Sequence, residues 1–272
     1  MAKRAQGAKL ADKVPQIVKK AVDDKAARNR FLQAYPEEIV DAIIFHRLNF
    51  AMTATNSLKS FRQLKTEFVD WNEIRVSPIQ EIREQLCGGS TSLETAVFIK
   101  DFLEFVHREK QCVRLDFTEL NLTEIRKLLR QVRGIDPSAI DLVLFRHKEH
   151  PVFPLNPQLE TIAQFAGLTK ARDTRDRKSK SIYGQTDPEI VLEFHHFLVD
   201  IARELSAAGD NGWTEDTTLK SHRTTLKNAV SAYVKKKRRA GSRAKPTQST
   251  ATKKSKSESA PNTAPKKSTA KK

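Results

Sequence analysis

Cysteine and histidine are the side chains that could hold a metal or a redox cofactor here, and they are few. The 272 residues contain two cysteines, Cys87 and Cys112, with no Cys-x-x-Cys pair. This count excludes a disulfide scaffold, a four-cysteine zinc site and a four-cysteine iron–sulfur cluster. His195 and His196 are adjacent, and adjacent residues point to different faces of a helix, so we interpret them as a packed or hydrogen-bonded pair. The sequence therefore predicts no metal and no cofactor.

Lysine and arginine are the groups that could contact phosphates, and they are concentrated at the ends of the chain. The net charge is +16, with 49 Lys and Arg against 33 Asp and Glu. Residues 235–272 carry 14 cations and one acid, a net charge of +13, and residues 1–28 carry a net charge of +5. Residues 29–234 carry a net charge of −2. The sequence predicts a nearly neutral folded body with two basic arms.

The C-terminal arm, 235–272, has the composition of a disordered Lys-rich tail. It contains no aromatic and no large aliphatic residue, so it cannot offset the entropy of ordering the chain. Cations that neutralise phosphates release counterions, which gives salt-dependent binding to double-stranded DNA without sequence readout. The alternatives are a solubilising tail or a nuclear address. The predicted DNA-contacting cations at its start are Lys235, Lys236, Lys237, Arg238 and Arg239.

Apolar residues between 37 and 234 recur at helical spacing, and no convincing alternating strand interrupts them. Segment 170–181 is predicted to be a mixed-charge loop that either contacts the DNA backbone or is only solvated. A long helix is predicted to open at 186–189, and five further helix starts are predicted at the capping residues Ser77, Thr91, Asn121, Asp136 and Asn156. Proline follows three of these residues directly, which suits the first turn of a helix. The sequence predicts an all-α fold.

Four segments of the body share a pattern with a known family. They are LRQVRGIDPSAIDLVL at 129–144, VFPLNPQL at 152–159, FHHFL at 194–198 and AMTATN at 51–56. The first three follow one another along the chain at the family's spacing, and the fourth lies upstream of them. Together they cover roughly 36–206 and resemble the helix-hairpin-helix DNA glycosylases of the endonuclease III superfamily. The alternative is an unrelated helical bundle with a glycine-containing helical hairpin, which is a common motif.

The resemblance implies a catalytic lysine and a catalytic aspartate, and neither is present at its matching position. Ser138 stands where the family has the lysine that forms a Schiff base, and it cannot form an imine. Members of the family that only excise bases also lack that lysine. Asn156 stands where the family has the aspartate that stabilises developing positive charge, so this charge is lost. Asp141 is the nearby acid that could substitute, but we favour its interpretation as a solvated helix residue.

The resemblance also implies where DNA is contacted. Arg133, Gly134 and Ile135 match the hairpin, whose glycines let backbone N–H groups approach a phosphate. Asp136 replaces the second hairpin glycine, and we interpret it as the N-cap of the next helix. Thr53 matches the residue that probes the base stack. The cysteines of the family's iron–sulfur cluster do not follow the histidine pair.

We therefore predict a two-domain, all-α fold like that of the helix-hairpin-helix glycosylases. Residues 1–38 pack on the second domain, 39–148 form a bundle with the hairpin, and 149–234 form the second domain. The predicted function is DNA binding related to base excision repair, with catalysis lost or strongly reduced. The alternatives are an active monofunctional glycosylase that uses a displaced acid, and a nucleoid-architectural protein that binds DNA through its tail.

The sequence also bears on the setting of this function. It has no run of about 18 apolar residues and no apolar signal-peptide core, so neither a membrane span nor secretion is expected. We expect a monomer inside the cell, in a bacterial cytoplasm or nucleoid rather than in a eukaryotic nucleus.

Overall fold

The computed structural model describes residues 2–208 and 218–234, and these residues are mostly helical, which confirms the all-α prediction. The α-helices are α1 (Ala2–Asp23), α2 (Lys25–Gln33), α3 (Ile39–Ala51), α4 (Ala54–Glu67), α5 (Trp71–Val76), α6 (Ile79–Glu84), α7 (Ser92–Lys110), α8 (Leu122–Leu129), α9 (Pro137–Lys148), α10 (Pro157–Phe165), α11 (Arg175–Gln185), α12 (Val191–Ala208), α13 (Thr218–Ser221) and α14 (Arg223–Val230). In the described part of the chain, the only β-type pairing is one isolated bridge between Thr186 and Val234.

Three of the predicted helix caps are confirmed. Asn121 accepts from the backbone N–H of Glu124, and the Glu124 side chain accepts from the backbone N–H of Asn121, so α8 begins with a full capping box. Asp136 and Asn156 cap α9 and α10, and proline follows each of them at the first helical position. Their short polar side chains satisfy N–H groups that the first turn of a helix leaves free.

Two of the predicted caps are wrong, although helices do begin near them. The hydroxyl of Ser77 donates to the backbone oxygen of Glu73 at 2.9 Å, and makes no capping hydrogen bond to α6. The hydroxyl of Thr91 donates to the backbone oxygens of Ala51 and Gly88 at 3.0 and 2.9 Å, and makes no capping hydrogen bond to α7. At Ser77 the competing acceptor is a carbonyl four residues earlier in the chain. At Thr91 the competing acceptors are the nearby carbonyl of Gly88 and that of Ala51, which the fold brings close.

Segment 170–181 is mostly helix rather than loop. Helix α11 begins after Thr174, whose side chain caps it, and runs to Gln185. Its buried face consists of Lys178, Ser179 and Ile182, which have helical spacing but are mainly polar. A search for apolar spacing therefore missed it, because hydrogen bonds and ion pairs replace apolar packing on this face.

Buried apolar side chains form two large clusters that divide near residue 152. The first cluster spans residues 39–152, and the second joins residues 14–21 of α1 to residues 153–230. A smaller third cluster contains Phe31, Tyr35, Phe45 and Leu142. The proposed division into 39–148 and 149–234 stays a prediction, as does the docking of 1–38.

The chain divides into two units, Met1–Lys235 and Lys236–Lys272, and all helices named above belong to the first. The predicted tail, 235–272, lies outside the described residues. None of the helices in the described ranges has the length and apolar character that crossing a bilayer requires.

Candidate functional site

The hairpin between α8 and α9 is a tight turn centred on Gly134. This glycine has φ of +73°, a left-handed conformation that glycine adopts without steric cost. The backbone N–H of Ile135 donates to the oxygen of Val132 at 3.3 Å, which closes the turn. Gly134 and Arg133 are exposed, whereas Ile135 is half-buried against the first apolar cluster. Of the three predicted hairpin contacts, two therefore face solvent.

Asp136 closes the hairpin and caps α9, which confirms its interpretation as an N-cap. Its Oδ1 accepts hydrogen bonds from both the backbone N–H and the hydroxyl of Ser138, the former at 2.7 Å. Its Oδ2 accepts a hydrogen bond from Nδ2 of Asn156 at 2.9 Å. One half-buried carboxylate thus receives three hydrogen bonds and joins the start of α9 to the start of α10.

Ser138, at the position that matches the family's lysine, is fully buried. Its Oγ lies 2.9 Å from Nε2 of His46 on α3. A serine hydroxyl has one proton, and here that proton is donated to the carboxylate of Asp136. His46 must then donate its Nε2–H to the serine oxygen. The order of groups is carboxylate, hydroxyl, imidazole, so the imidazole is not placed to take a proton from the serine.

Asn156, at the position that matches the family's aspartate, is buried and uses both atoms of its amide. Its Oδ1 accepts from the backbone N–H of Leu159 at 2.8 Å, and its Nδ2 donates to Asp136. The amide is therefore a structural link between two helix starts and carries no charge. The structure brings Ser138 and Asn156 together, and Asp136 is the residue that connects them.

Asp141 is buried rather than solvated. It pairs with the guanidinium of Arg175, which also donates to the backbone oxygens of Leu155 at 2.7 Å and Pro137 at 3.0 Å. Burial raises the pKa of Asp141 to about 6, although the charge of Arg175 acts in the opposite direction. This carboxyl is held away from Asp136 by its own ion pair, on the side of α9 that faces α11.

The histidine pair lies in a buried cluster with His46. Nδ1 of His195 donates to the backbone oxygen of Pro154 at 3.0 Å, and Nδ1 of His196 accepts from Nδ2 of Asn49 at 2.8 Å. The rings of His46 and His195 are stacked with centroids 5.3 Å apart. Burial lowers the pKa of both to about 3 and lowers that of His196 well below its usual range. All three are therefore neutral at physiological pH.

Metal ligation finds no support in the described part of the chain, where no group of three or more His, Cys, Asp or Glu side chains could hold an ion. Among the cavities of the described residues, one of about 350 Å³ lies along α4 and one of about 440 Å³ lies near the C-terminal end of α7. Neither is lined by Ser138, Asp141 or Asn156.

Of the remaining predicted DNA contacts, Thr53 belongs to the described residues and the tail cations do not. Thr53 is exposed and caps α4 by accepting from the backbone N–H of Asn56 at 3.3 Å. The predicted cations of the tail, Lys235 to Arg239, fall outside the described residues. Sequence reasoning missed His46 and Arg175, because each meets its partner only through the fold.

Similarity to a known protein bears on the function of this chain. No family model matches the chain. Over 163 residues, 60% of this chain, the sequence is 25% identical to a protein of Arabidopsis thaliana named "Putative DNA glycosylase". The match spans 56% of that protein's length. The sequence relationship of this chain is therefore DNA glycosylase-like.

Proposed function

We propose that this protein binds double-stranded DNA as a helix-hairpin-helix member of the endonuclease III superfamily in which base excision and lyase chemistry are lost or strongly reduced. The DNA glycosylase-like relationship supports DNA as the partner. The sequence pattern of the hairpin and the turn at Gly134 support the subclass. We include in this proposal a role connected with base excision repair, which the same relationship supports.

The burial of Ser138 is the observation that carries the loss of chemistry. A lyase step needs an amine that can attack the sugar and form a Schiff base. The position that matches this amine holds a hydroxyl with none of its surface exposed, already hydrogen-bonded to Asp136 and His46. A nucleophile in this place would have to reach substrate through the packed start of α9.

Stabilisation of positive charge on the sugar is also weakened at this site. Asn156 supplies no charge, and removing a preorganised electrostatic group of this kind costs roughly 3–4 kcal/mol of transition-state stabilisation. Asp141 is neutralised by Arg175 and would first have to leave its ion pair.

A trapping experiment tests the proposal. Incubated with abasic-site DNA and borohydride, the protein should give no stoichiometric covalent adduct, because no positioned amine forms an imine. Lysines of the tail can react at low yield, so the shortened chain 1–234 is the matched control. An adduct that disappears on removing 235–272 supports the proposal, and a stoichiometric adduct that survives in 1–234 contradicts it.

A second candidate function rests on the carboxylate of Asp136. Its Oδ2 lies 2.9 Å from Nδ2 of Asn156, so a charge persists beside the position that matches the family's aspartate. We propose Asp136, ahead of Asp141, as the displaced acid if base excision remains. Base release from lesion-containing duplex that is lost in Asp136→Asn and retained in Asp141→Asn would favour this candidate. Asn caps a helix about as well as Asp, so Asp136→Asn removes the charge and keeps the cap.

A further inference from the structure

The two faces of helix α11 are both polar but differ in burial. The inner face carries Lys178 and Ser179, which are buried. The outer face carries Arg177 and Lys180, which are exposed, with Asp176 as the acid beside them. A helix that buries polar groups on one side and exposes cations on the other is held firmly while keeping free charge at its surface.

Hydrogen bonds attach α11 to the hairpin side of the molecule. Arg175, its first residue, donates to the backbone oxygen of Pro137, the first residue of α9. Ser179 donates to the backbone oxygen of Phe153 at 2.8 Å and accepts from the N–H of the same residue at 3.0 Å. Lys178 pairs with Glu160 of α10 at 3.0 Å. The start of α11 therefore lies directly beside the end of the hairpin.

Exposed cations are also present on α8 and on the hairpin that precedes α9. Lys127, Arg130 and Arg133 are exposed and spaced three residues apart, so the first two share a face of α8. Arg126 of α8 and Lys180 of α11 both act electrostatically on His150, so one side chain is within electrostatic range of both helices. Burial and these two charges lower the pKa of His150, so it adds no charge of its own at neutral pH.

We define the hairpin–α11 basic surface as Lys127, Arg130, Arg133, Arg177 and Lys180. No described acidic residue forms a salt bridge with any of the five. Residues 29–234 have a net charge of −2, so the excess of positive charge at this surface is local and does not extend over the whole body.

The start of α9 does not offer an alternative site for a phosphate. A free helix N-terminus binds anions through its exposed N–H groups. Here the carboxylate of Asp136 already accepts from the backbone N–H of Ser138 and places negative charge at the helix start. Anions that approach this side must be bound by side-chain cations.

We infer that the hairpin–α11 basic surface binds the phosphate backbone of duplex DNA, with α11 supplying contacts beside those of the hairpin. The inference rests on the proposed function, since it takes DNA as the partner. The charge of the surface is complementary to a phosphate backbone and includes no apolar platform for bases, so the contact is independent of sequence.

Binding of the full-length chain to a labelled intact duplex, measured as a function of salt, tests the inference. Each phosphate contact contributes about 0.9 to the magnitude of the slope of log K against log salt. The double variant Arg177→Ala with Lys180→Ala should reduce this magnitude by about 1.8 and weaken binding by roughly tenfold or more at low salt.

The matched control is Arg108→Ala with Lys110→Ala, which removes two exposed cations from the last turn of α7. This variant should keep the slope of the unmodified protein, and circular dichroism should show both variants folded. Equal slopes and affinities in the two double variants would contradict phosphate binding by the hairpin–α11 basic surface, while DNA binding by the protein would still stand. Failure of the unmodified chain to bind duplex at low salt would instead overturn the proposed function.

Discussion

The carboxylate of Asp136 holds together the two positions that carry the family resemblance. Ser138 and Asn156 are 18 residues apart, on different helices, and both donate to it. A buried hydrogen bond to a charged group contributes about 1.5–3 kcal/mol to stability. The network therefore stabilises the fold. Any substitution of Ser138 or Asn156 that is meant to restore catalysis also alters these hydrogen bonds.

Exchanging the charge between Asp136 and Asn156 gives a prediction at the residue scale. Asn156→Asp alone places two carboxylates in contact and should lower the free energy of unfolding by about 2 kcal/mol at neutral pH, with recovery in acid as one of them takes a proton. The double variant Asp136→Asn with Asn156→Asp restores one carboxylate and one amide and should recover most of that loss. Urea unfolding of the four proteins measures the coupling.

If Asn156→Asp is as stable as the unmodified protein at neutral pH, the contact with Asp136 is not formed in solution. The exchanged protein also bears on catalysis, because it moves the carboxylate to the position that matches the family's aspartate. Combining it with Ser138→Lys is the sharpest attempt to recover lyase activity, since Asn156→Asp with Ser138→Lys alone would leave the extra carboxylate of Asp136 beside the new amine and favour its protonated, non-nucleophilic form.

At the scale of elements, the glycine of the hairpin and the glycine of α11 differ in backbone conformation. Gly134 needs a positive φ, whereas Gly184 lies inside α11, has no positive φ, and has nothing within 4 Å of where a Cβ would stand. A side chain at Gly134 would have space, since the nearest atom to its Cβ is 3.8 Å away. The constraint at Gly134 is therefore the backbone conformation alone.

Alanine at each glycine should consequently act in opposite directions. Gly134→Ala should lower the free energy of unfolding by about 1–2 kcal/mol, because the left-handed conformation is sterically unfavourable for a residue with a Cβ. Gly184→Ala should raise it by about 0.5–1 kcal/mol, because alanine favours a helix interior. Thermal unfolding of both variants checks the pair, and a stabilised Gly134→Ala would contradict the turn described for the hairpin.

At the scale of the whole molecule, three neutral histidines make stability depend on pH. His46, His195 and His196 are buried between α3 and α12, and burial lowers the pKa of each. In the unfolded chain they titrate near 6.5, so the unfolded state binds more protons as pH falls below that value. The stability that they contribute is present above about pH 6.5 and is lost as the pH falls towards 3.

We therefore expect acid to unfold the protein steeply. Each histidine contributes a slope of up to about 1.4 kcal/mol per pH unit, and Asp141 opposes them between its unfolded pKa of about 3.9 and its folded pKa of about 6. The net slope should be roughly 2.7 kcal/mol per unit between about pH 6 and 4. His46→Gln should reduce the slope and Asp141→Asn should increase it. Urea unfolding at several pH values measures both, and a flat profile would show that the histidines are hydrated in solution.

The distribution of charge between body and tail gives a second prediction at this scale. Half of the 14 cations of 235–272 would contribute a salt slope of roughly −6, so the shortened chain 1–234 should bind intact duplex far more weakly and with a much shallower slope. The contribution that remains should come from the hairpin–α11 basic surface and the N-terminal segment. An unchanged slope in 1–234 would show that the tail is not the main anchor.

The preference for abasic over intact duplex separates the two remaining functions. A body derived from a glycosylase should keep any such preference after the tail is removed, even though all affinities fall. Absence of the preference in both chains would favour the architectural alternative, in which the body only folds.

The sequence by itself determined the helical class and three helix starts, because apolar spacing and capping residues act within a few positions of the chain. The Asp-Pro and Asn-Pro pairs identified the starts of α9 and α10 correctly for this reason. The absence of a lysine at Ser138 and of a charge at Asn156 also required only the sequence and its family pattern. These are statements about which groups are present.

Tertiary structure alone decided what those groups do. Asp136 reads in the sequence as a cap, and only the approach of α10 makes it the acceptor for Asn156. Asp141 reads as a solvated residue, and only the docking of α11 buries it against Arg175. Hydrogen bonds between residues 20 to 90 positions apart leave no periodic trace in a sequence, because they depend on how helices pack rather than on spacing along any one of them.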